Sequence, residues 1–226
     1  MIIYCVRYKD LTPLEYQRCL SFVSKERQEQ VKRFRFREDA LRSLLGELLT
    51  RYILTREYTI PNCLINFERN AFGKPFLKEY KNIYFNVSHS GQWIVCAVDS
   101  NEVGIDIEKV DQFDISIAKR FFLEEEYLSL KNIFNENDKK SYFYKLWTLK
   151  ESYVKAKGKG LQIPLNSFKI EKANNDFKNY DFQVGNQMFL RLYSLENYFL
   201  SICSTHTSLP KQLFFLDIMN LINMSE

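Results

Sequence analysis

Midway along the chain, Val103-Gly104-Ile105-Asp106-Ile107-Glu108 reads as a strand after which the order of secondary structure begins again. That restart is the strongest constraint on the fold. Ahead of it, an apolar strand from Ile2 to Val6 is followed by a polar segment from Ser24 to Glu38 carrying Lys25, Arg27, Lys32, Arg33, Arg35 and Arg37. Leu41, Leu44, Leu45, Leu48, Leu49, Tyr52 and Ile53 then recur at helical spacing, which predicts an amphipathic helix opened by Glu38 and Asp39. Short strand runs follow: Leu64 to Phe67, a turn at Phe72-Gly73-Lys74-Pro75, and Trp93 to Val98 after Gly91. Beyond Glu108, a helical region from Ile115 to Leu130 and a longer helix from Tyr142 to Lys157 precede strands near Phe168, Phe189 and Phe199. The expected class is α+β, built from two similar α/β subdomains, residues 1–102 and 103–226. Asn174 to Asn179 reads as an exposed loop.

Hydrophobic residues at 46% provide for a core, and the net charge of +4 favours anionic ligands or an acidic partner without requiring nucleic acid. No apolar run reaches the roughly 20 residues that span a bilayer, and Met1 to Arg7 lacks a secretion pattern, so a soluble, cytoplasmic protein is expected. Five cysteines without a C-x-x-C spacing predict buried thiols rather than disulfides or zinc ligands. With His89 and His206 the only histidines, the sequence argues against multi-His metal sites and most His-driven relays.

Three segments carry chemistry. Strand alternation turns Asp106 and Glu108 to one face, about 6.6 Å apart along the strand, where both can reach one hard cation such as Mg²⁺. Taken alone, such a pair is more often a solvated edge-strand face. In L-W-T-L-K-E-S-Y-V-K, Trp147, Glu151 and Lys155 share one helical stripe, while Phe143, Leu146, Leu149 and Tyr153 can face a core. Alone, this is an ordinary Glu-to-Lys surface pair ended by Gly158 and Gly160. In F-N-V-S-H-S-G, Asn86, Ser88 and Ser90 alternate with Val87 and His89. Without a G-x-S-x-G elbow, a donor cluster for an anion is favoured over a serine hydrolase, beside the plainer reading of a His satisfied at a strand end.

Together these segments resemble the Sfp-type 4′-phosphopantetheinyl transferases. Gly104 to Glu108 matches the G-[IV]-D-[IV]-E strand, and Trp147 to Lys155 matches W-x-x-K-E-[SA]-x-x-K. Asn86 to Ser90 and Gly73 to Pro75 match two upstream motifs, so the resemblance spans roughly Arg27 to Leu161. It implies pseudo-twofold-related subdomains with coenzyme A as co-substrate between them. The implied reaction moves 4′-phosphopantetheine onto a serine of an apo acyl, peptidyl or aryl carrier protein, releasing 3′,5′-ADP. Asp106, Glu108 and Glu151 would hold Mg²⁺, or Mn²⁺ in its place, with Glu151 as proposed base and Lys155 on the pyrophosphate. Ser88 and His89 would hold phosphates, Phe72, Gly73, Lys74 and Pro75 would line the adenine pocket, and Arg27 and Ser43 would reach the 3′-phosphate. Gln30 stands where close relatives carry a second Lys, with Lys32 or Arg33 as possible replacements. A monomer acting without nucleic acid or membrane is implied.

Two rivals fit less well. A metal-dependent nuclease commonly places an acid and a Lys on one strand face as (D/E)-x-K, whereas Lys109 directly follows Glu108 and points away from it. An RNA- or phosphoprotein-binding module built on Ser24 to Glu38 is interrupted by Glu26, Glu29, Glu38 and Asp39, and would leave Asp106, Glu108 and Glu151 unexplained. Asp114 to Phe122 offers Ile117 and Phe121 with Lys119 and Arg120 beside them, either as a dock for an acidic carrier or as a helix face turned to the core.

Overall fold

The computed structural model describes residues 1–173 and 181–224. The first half runs β1 (Ile2–Arg7), α1 (Pro13–Ser21), α2 (Lys25–Lys32), α3 (Arg37–Glu57), β2 (Phe67–Arg69), β3 (Pro75–Leu77), β4 (Tyr84–Ser90) and β5 (Trp93–Asp99). The second runs β6 (Val103–Lys109), α4 (Ile115–Phe121), α5 (Glu124–Lys131), α6 (Glu136–Lys157), β7 (Glu171–Lys172), β8 (Phe182–Val184), β9 (Met188–Leu195) and β10 (Tyr198–Ser204). β11 (Phe214–Leu216) and α7 (Ile218–Ile222) follow. A strand, a group of helices, two short strands and a long antiparallel pair therefore occur twice, giving the α+β class. Each half also closes its sheet in the same order, β1-β5-β4 and β6-β10-β9.

Local chemistry explains the element boundaries. Leu41, Leu44, Leu45, Leu48, Leu49 and Ile53 are fully buried on α3, whose first turn carries Glu38 and Asp39. Inside the Ser24 to Glu38 segment, the Ser24 side chain accepts from the Arg27 amide and starts α2. α6 begins well before Tyr142 because the Asn135 side chain accepts from the amides of Asn137 and Asp138, and it ends at Gly158 in the left-handed conformation, φ 63°.

Three expectations need correction. Phe168 lies outside any strand: it follows a 3₁₀ turn over Leu165–Ser167 and sets its ring, tilted by 44°, 4.4 Å from that of Tyr153. Strand structure resumes at Glu171. Leu64 closes another 3₁₀ turn, so that strand starts at Phe67. Cys63 on this turn is exposed, although Cys5, Cys19, Cys96 and Cys203 are buried. The loop expected at Asn174 to Asn179 lies outside the described residues.

The two sheets share a core in which Ile3, Cys5 and Val95 meet Ile105, Ile107, Leu200 and Ile202. Their edges also meet, without backbone pairing. The alternation of β4 aims Asn86, Ser88 and Ser90 at β6, where their side-chain oxygens accept from the amides of Ile105 (2.8 Å), Ile107 (3.4 Å) and Lys109 (3.1 Å). Buried edge amides need such partners. On the other flank of β6, a Cβ at Gly104 would collide with the backbone of Ser152 and Ala156, so only glycine lets α6 approach this closely. Finally, β11 pairs parallel to β1, and Ile218, Leu221 and Ile222 of α7 enter the core around α3.

Candidate functional site

The seam between the halves and the face of α6 meet at Asp106. This residue is 3% exposed, and Lys155 Nζ lies 2.5 Å from its Oδ1. Ser88 Oγ donates to the same oxygen at 3.0 Å and accepts from Lys155 at 2.9 Å. Oδ2 is buried without a partner among the described residues. Two residues on, Glu108 Oε2 accepts from Ser90 Oγ at 2.9 Å. Burial, reinforced by the charge on Asp106, pushes the Glu108 carboxyl up to about 7. Burial and then the Asp106 charge also raise Glu151. Asp106 is raised by burial as well, with Lys155 and Ser88 pulling the other way.

A group of buried and part-buried carboxyls, each held above its ordinary range, is a site short of positive charge. Among the described residues, no three Asp, Glu, His or Cys side chains already stand as a closed ligand set. What the site offers is an open arrangement: an orphaned oxygen on Asp106, two neighbouring acids, and a Lys bonded to the other oxygen of Asp106. All-oxygen donors of this kind suit a hard cation that completes its shell with water and phosphate.

Glu151 and Lys155 line a cleft of about 660 Å³ together with Trp147, Phe121 and the Phe72–Pro75 turn. Trp147 is wedged edge-on against Phe121, with centroids 5.9 Å apart. Ile117 and Phe121 are half-buried against this aromatic cluster, while Lys119 and Arg120 are exposed. The Phe72–Pro75 turn is organised by Asn70, whose Oδ1 accepts from the amides of Phe72 and Lys74, both at 2.9 Å. Its Nδ2 donates to Gly158 O at 2.9 Å, tying the turn to the end of α6. Lys74 does the same. Its Nζ donates to the carbonyls of Val103, Lys155 and Ala156, and burial pushes it down to about 8. The Lys74 charge thus caps a helix, and its stem and backbone are what face the cleft.

Arg27, Ser43 and His89 gather elsewhere, around a cavity of about 290 Å³ on the other face of β4. Arg27 is ion-paired to Glu47 and donates to Ser43 Oγ at 2.9 Å. Burial, and then the charges of Lys155 and Arg42, hold His89 below its usual range. Ser88 and His89, adjacent in sequence, therefore work from opposite faces of the strand. Gln30 lines a neighbouring cavity with Arg27, Arg51 and Arg69. Lys32 is instead paired with Glu29 at 2.7 Å on the exposed side of α2, and Arg33 caps that helix. The cations that do line these cavities, Arg42, Arg51 and Arg69, were missed by the sequence reading. Asn70 was missed too, although an Asn two residues before a Phe-Gly turn is a readable signal.

The chain is also similar to known proteins. A family model described as "4′-phosphopantetheinyl transferase, N-terminal" matches residues 10–101. A second, "4′-phosphopantetheinyl transferase superfamily", matches residues 102–203. The 4′-phosphopantetheinyl transferase Sfp of Bacillus subtilis is 35% identical over 95% of this chain and 96% of its own. The 4′-phosphopantetheinyl transferase gsp of Aneurinibacillus migulanus is 42% identical over 90% of this chain and 86% of its own. A solved holo-(acyl-carrier-protein) synthase from Bacillus anthracis, 14% identical with a TM-score of 0.38, covers 46% of this chain and 93% of its own, too remote to carry an argument. Two adjoining family models and full-length relatives above 30% identity lead to one conclusion: the chain belongs to the 4′-phosphopantetheinyl transferase superfamily.

Proposed function

We infer that this chain transfers 4′-phosphopantetheine from coenzyme A to a serine hydroxyl of an apo carrier protein, releasing 3′,5′-ADP, with Mg²⁺ or Mn²⁺ held by Asp106, Glu108 and Glu151. The observation that carries the reading is the buried, partnerless Oδ2 of Asp106 beside two acids raised by burial. Two like charges about 4 Å apart repel by roughly 4 kcal/mol at an effective dielectric of 20. These acids therefore cannot meet a pyrophosphate without a cation between them. When bound, the ion supplies Lewis-acid stabilisation of charge on the departing 3′,5′-ADP.

The remaining work falls to side chains. Glu151 takes the proton of the serine hydroxyl, directly or through a water, as the serine oxygen attacks the phosphorus nearest the pantetheine. The bond from that phosphorus to the bridging oxygen breaks, and the electron pair leaves with 3′,5′-ADP. Lys155 exchanges its bond to Asp106 for one to the pyrophosphate and offsets the developing charge. The cleft formed by Trp147, Phe121 and the Phe72–Pro75 turn receives the adenine and the pantetheine arm. Arg27, Ser43 and His89 hold the 3′-phosphate side, where Arg42 and Arg69 provide the charge that Gln30 does not.

The protein acts as a monomer, since acids and seam come from one chain. No helix among the described residues is long and apolar enough to cross a membrane. Incubation with coenzyme A, Mg²⁺ and a panel of apo carriers, read by mass spectrometry, tests the reading. The expected result is a carrier heavier by one phosphopantetheine. Unmodified carriers throughout the panel would overturn it.

A further inference from the structure

Among the described residues, the three acids are anchored unequally. Asp106 is held by Lys155 and Ser88, and Glu151 is carried on a helix packed against β6 and β10. Glu108 stands near the end of its strand, only part-buried, and the hydrogen bond that holds its carboxylate comes from Ser90. A serine hydroxyl has one hydrogen to give. Here Ser90 Oγ accepts from the amide of Lys109, a backbone group fixed in β6. That bond uses a lone pair and leaves the hydrogen to point at Glu108 Oε2. The strand end carrying Ser90 is itself fastened to the second half, because Tyr198 Oη accepts from the Gln92 amide at 3.2 Å. Ser90 is thus a rigid post, planted on the first half, against which an acid of the second half is set.

We propose that Ser90 is a positioning residue that holds Glu108 in the rotamer that receives the divalent ion, so that the seam between the halves also sets the metal site. The proposal rests on the metal reading above. Groups that orient metal-ligating carboxylates typically affect metal affinity by 10–100-fold when removed.

The test is Mn²⁺ titration followed by electron paramagnetic resonance, with coenzyme A present and no carrier, so that nothing turns over. Ser90→Ala should weaken Mn²⁺ binding at least 10-fold, and Ser90→Thr, which keeps the hydroxyl, should restore most of it. In steady state, Ser90→Ala should raise the Mg²⁺ concentration for half-maximal rate while leaving kcat at saturating Mg²⁺ within a few-fold of wild type. A role confined to the seam would lower the Tm and leave Mn²⁺ affinity in place. If Ser90→Ala melts too early to titrate, Ser90→Cys, similar in size with a weak donor, makes the same comparison. Glu108→Gln is the control. Should it lose Mn²⁺ affinity while the Ser90 variants bind within twofold of wild type, the positioning role is overturned and the metal reading stands. If Glu108→Gln binds as tightly as wild type, the metal reading falls and Ser90 falls with it.

Discussion

Replacing Glu108 by Gln should make the metal-free protein more stable above neutral pH while abolishing its activity. The carboxyl is raised from its ordinary 4.5 to about 7 by burial and the Asp106 charge. Because the folded state holds this proton more tightly than the unfolded chain, Glu108 costs nothing below pH 4.5, where both states are protonated. The cost grows as pH rises toward 7 and is complete above it. Two and a half pH units at about 1.36 kcal/mol each come to about 3 kcal/mol. Gln keeps the shape and still accepts from Ser90, but it never ionises. In a chain of this length, 3 kcal/mol corresponds to a Tm difference of about 6 °C. Thermal melts of both proteins in EDTA, from pH 4 to 8, should coincide at the acid end and separate by that amount at pH 8, with Gln the more stable. Added Mg²⁺ should close the gap by raising wild type alone. Melting curves that stay parallel across the range would refute the argument.

Asp106→Ala should lower the transfer rate at least 100-fold, and excess EDTA should do the same to wild type; near-normal turnover in either case would count against a metal at this strand. Arg27→Ala should raise KM for coenzyme A by tenfold or more, the equivalent of a charge-assisted bond of about 1.5–3 kcal/mol, and should affect an analogue lacking the 3′-phosphate much less. Equal effects on both would move that phosphate elsewhere. Replacing exposed Lys119 by Glu should raise KM for an acidic carrier severalfold at low salt while KM for coenzyme A and the Tm stay put, and an unchanged carrier KM would show that the carrier docks elsewhere.

The parts of the site read from sequence were those set by short periods. A period of two put Asp106 and Glu108 on one face of β6, and a helical period lined up Trp147, Glu151 and Lys155 on α6. What escaped depends on contacts between distant segments. Nothing near Ser90 announces that β4 will lie beside β6 and pair with it through side chains. Lys74 looks like a cleft cation in a Gly-Lys-Pro turn, and only the close approach of α6 reveals that three carbonyls occupy its amine. Arg42 and Arg69 come from a helix and a hairpin far apart in sequence, so their convergence around Arg27 and Pro75 has no local signature. Phe168 has a strand-like composition, yet the carbonyls of Leu165 and Phe168 are held at 2.8 Å by the buried Lys150, which pulls that segment into a turn.

The return of β11 and α7 to the first half bears on how the protein is made. The sheet edge at β1 and the apolar floor beneath α3 are completed by residues 214–222. The half that leaves the ribosome first must therefore wait, with part of its interior open, until the second half has been synthesised. Folding of the two halves is thereby joined into one late event. A ribosome stalled just after β10 would hold a nascent chain with its acids and cleft-lining residues already translated and its first core unsealed, the state in which such a chain depends most on chaperones.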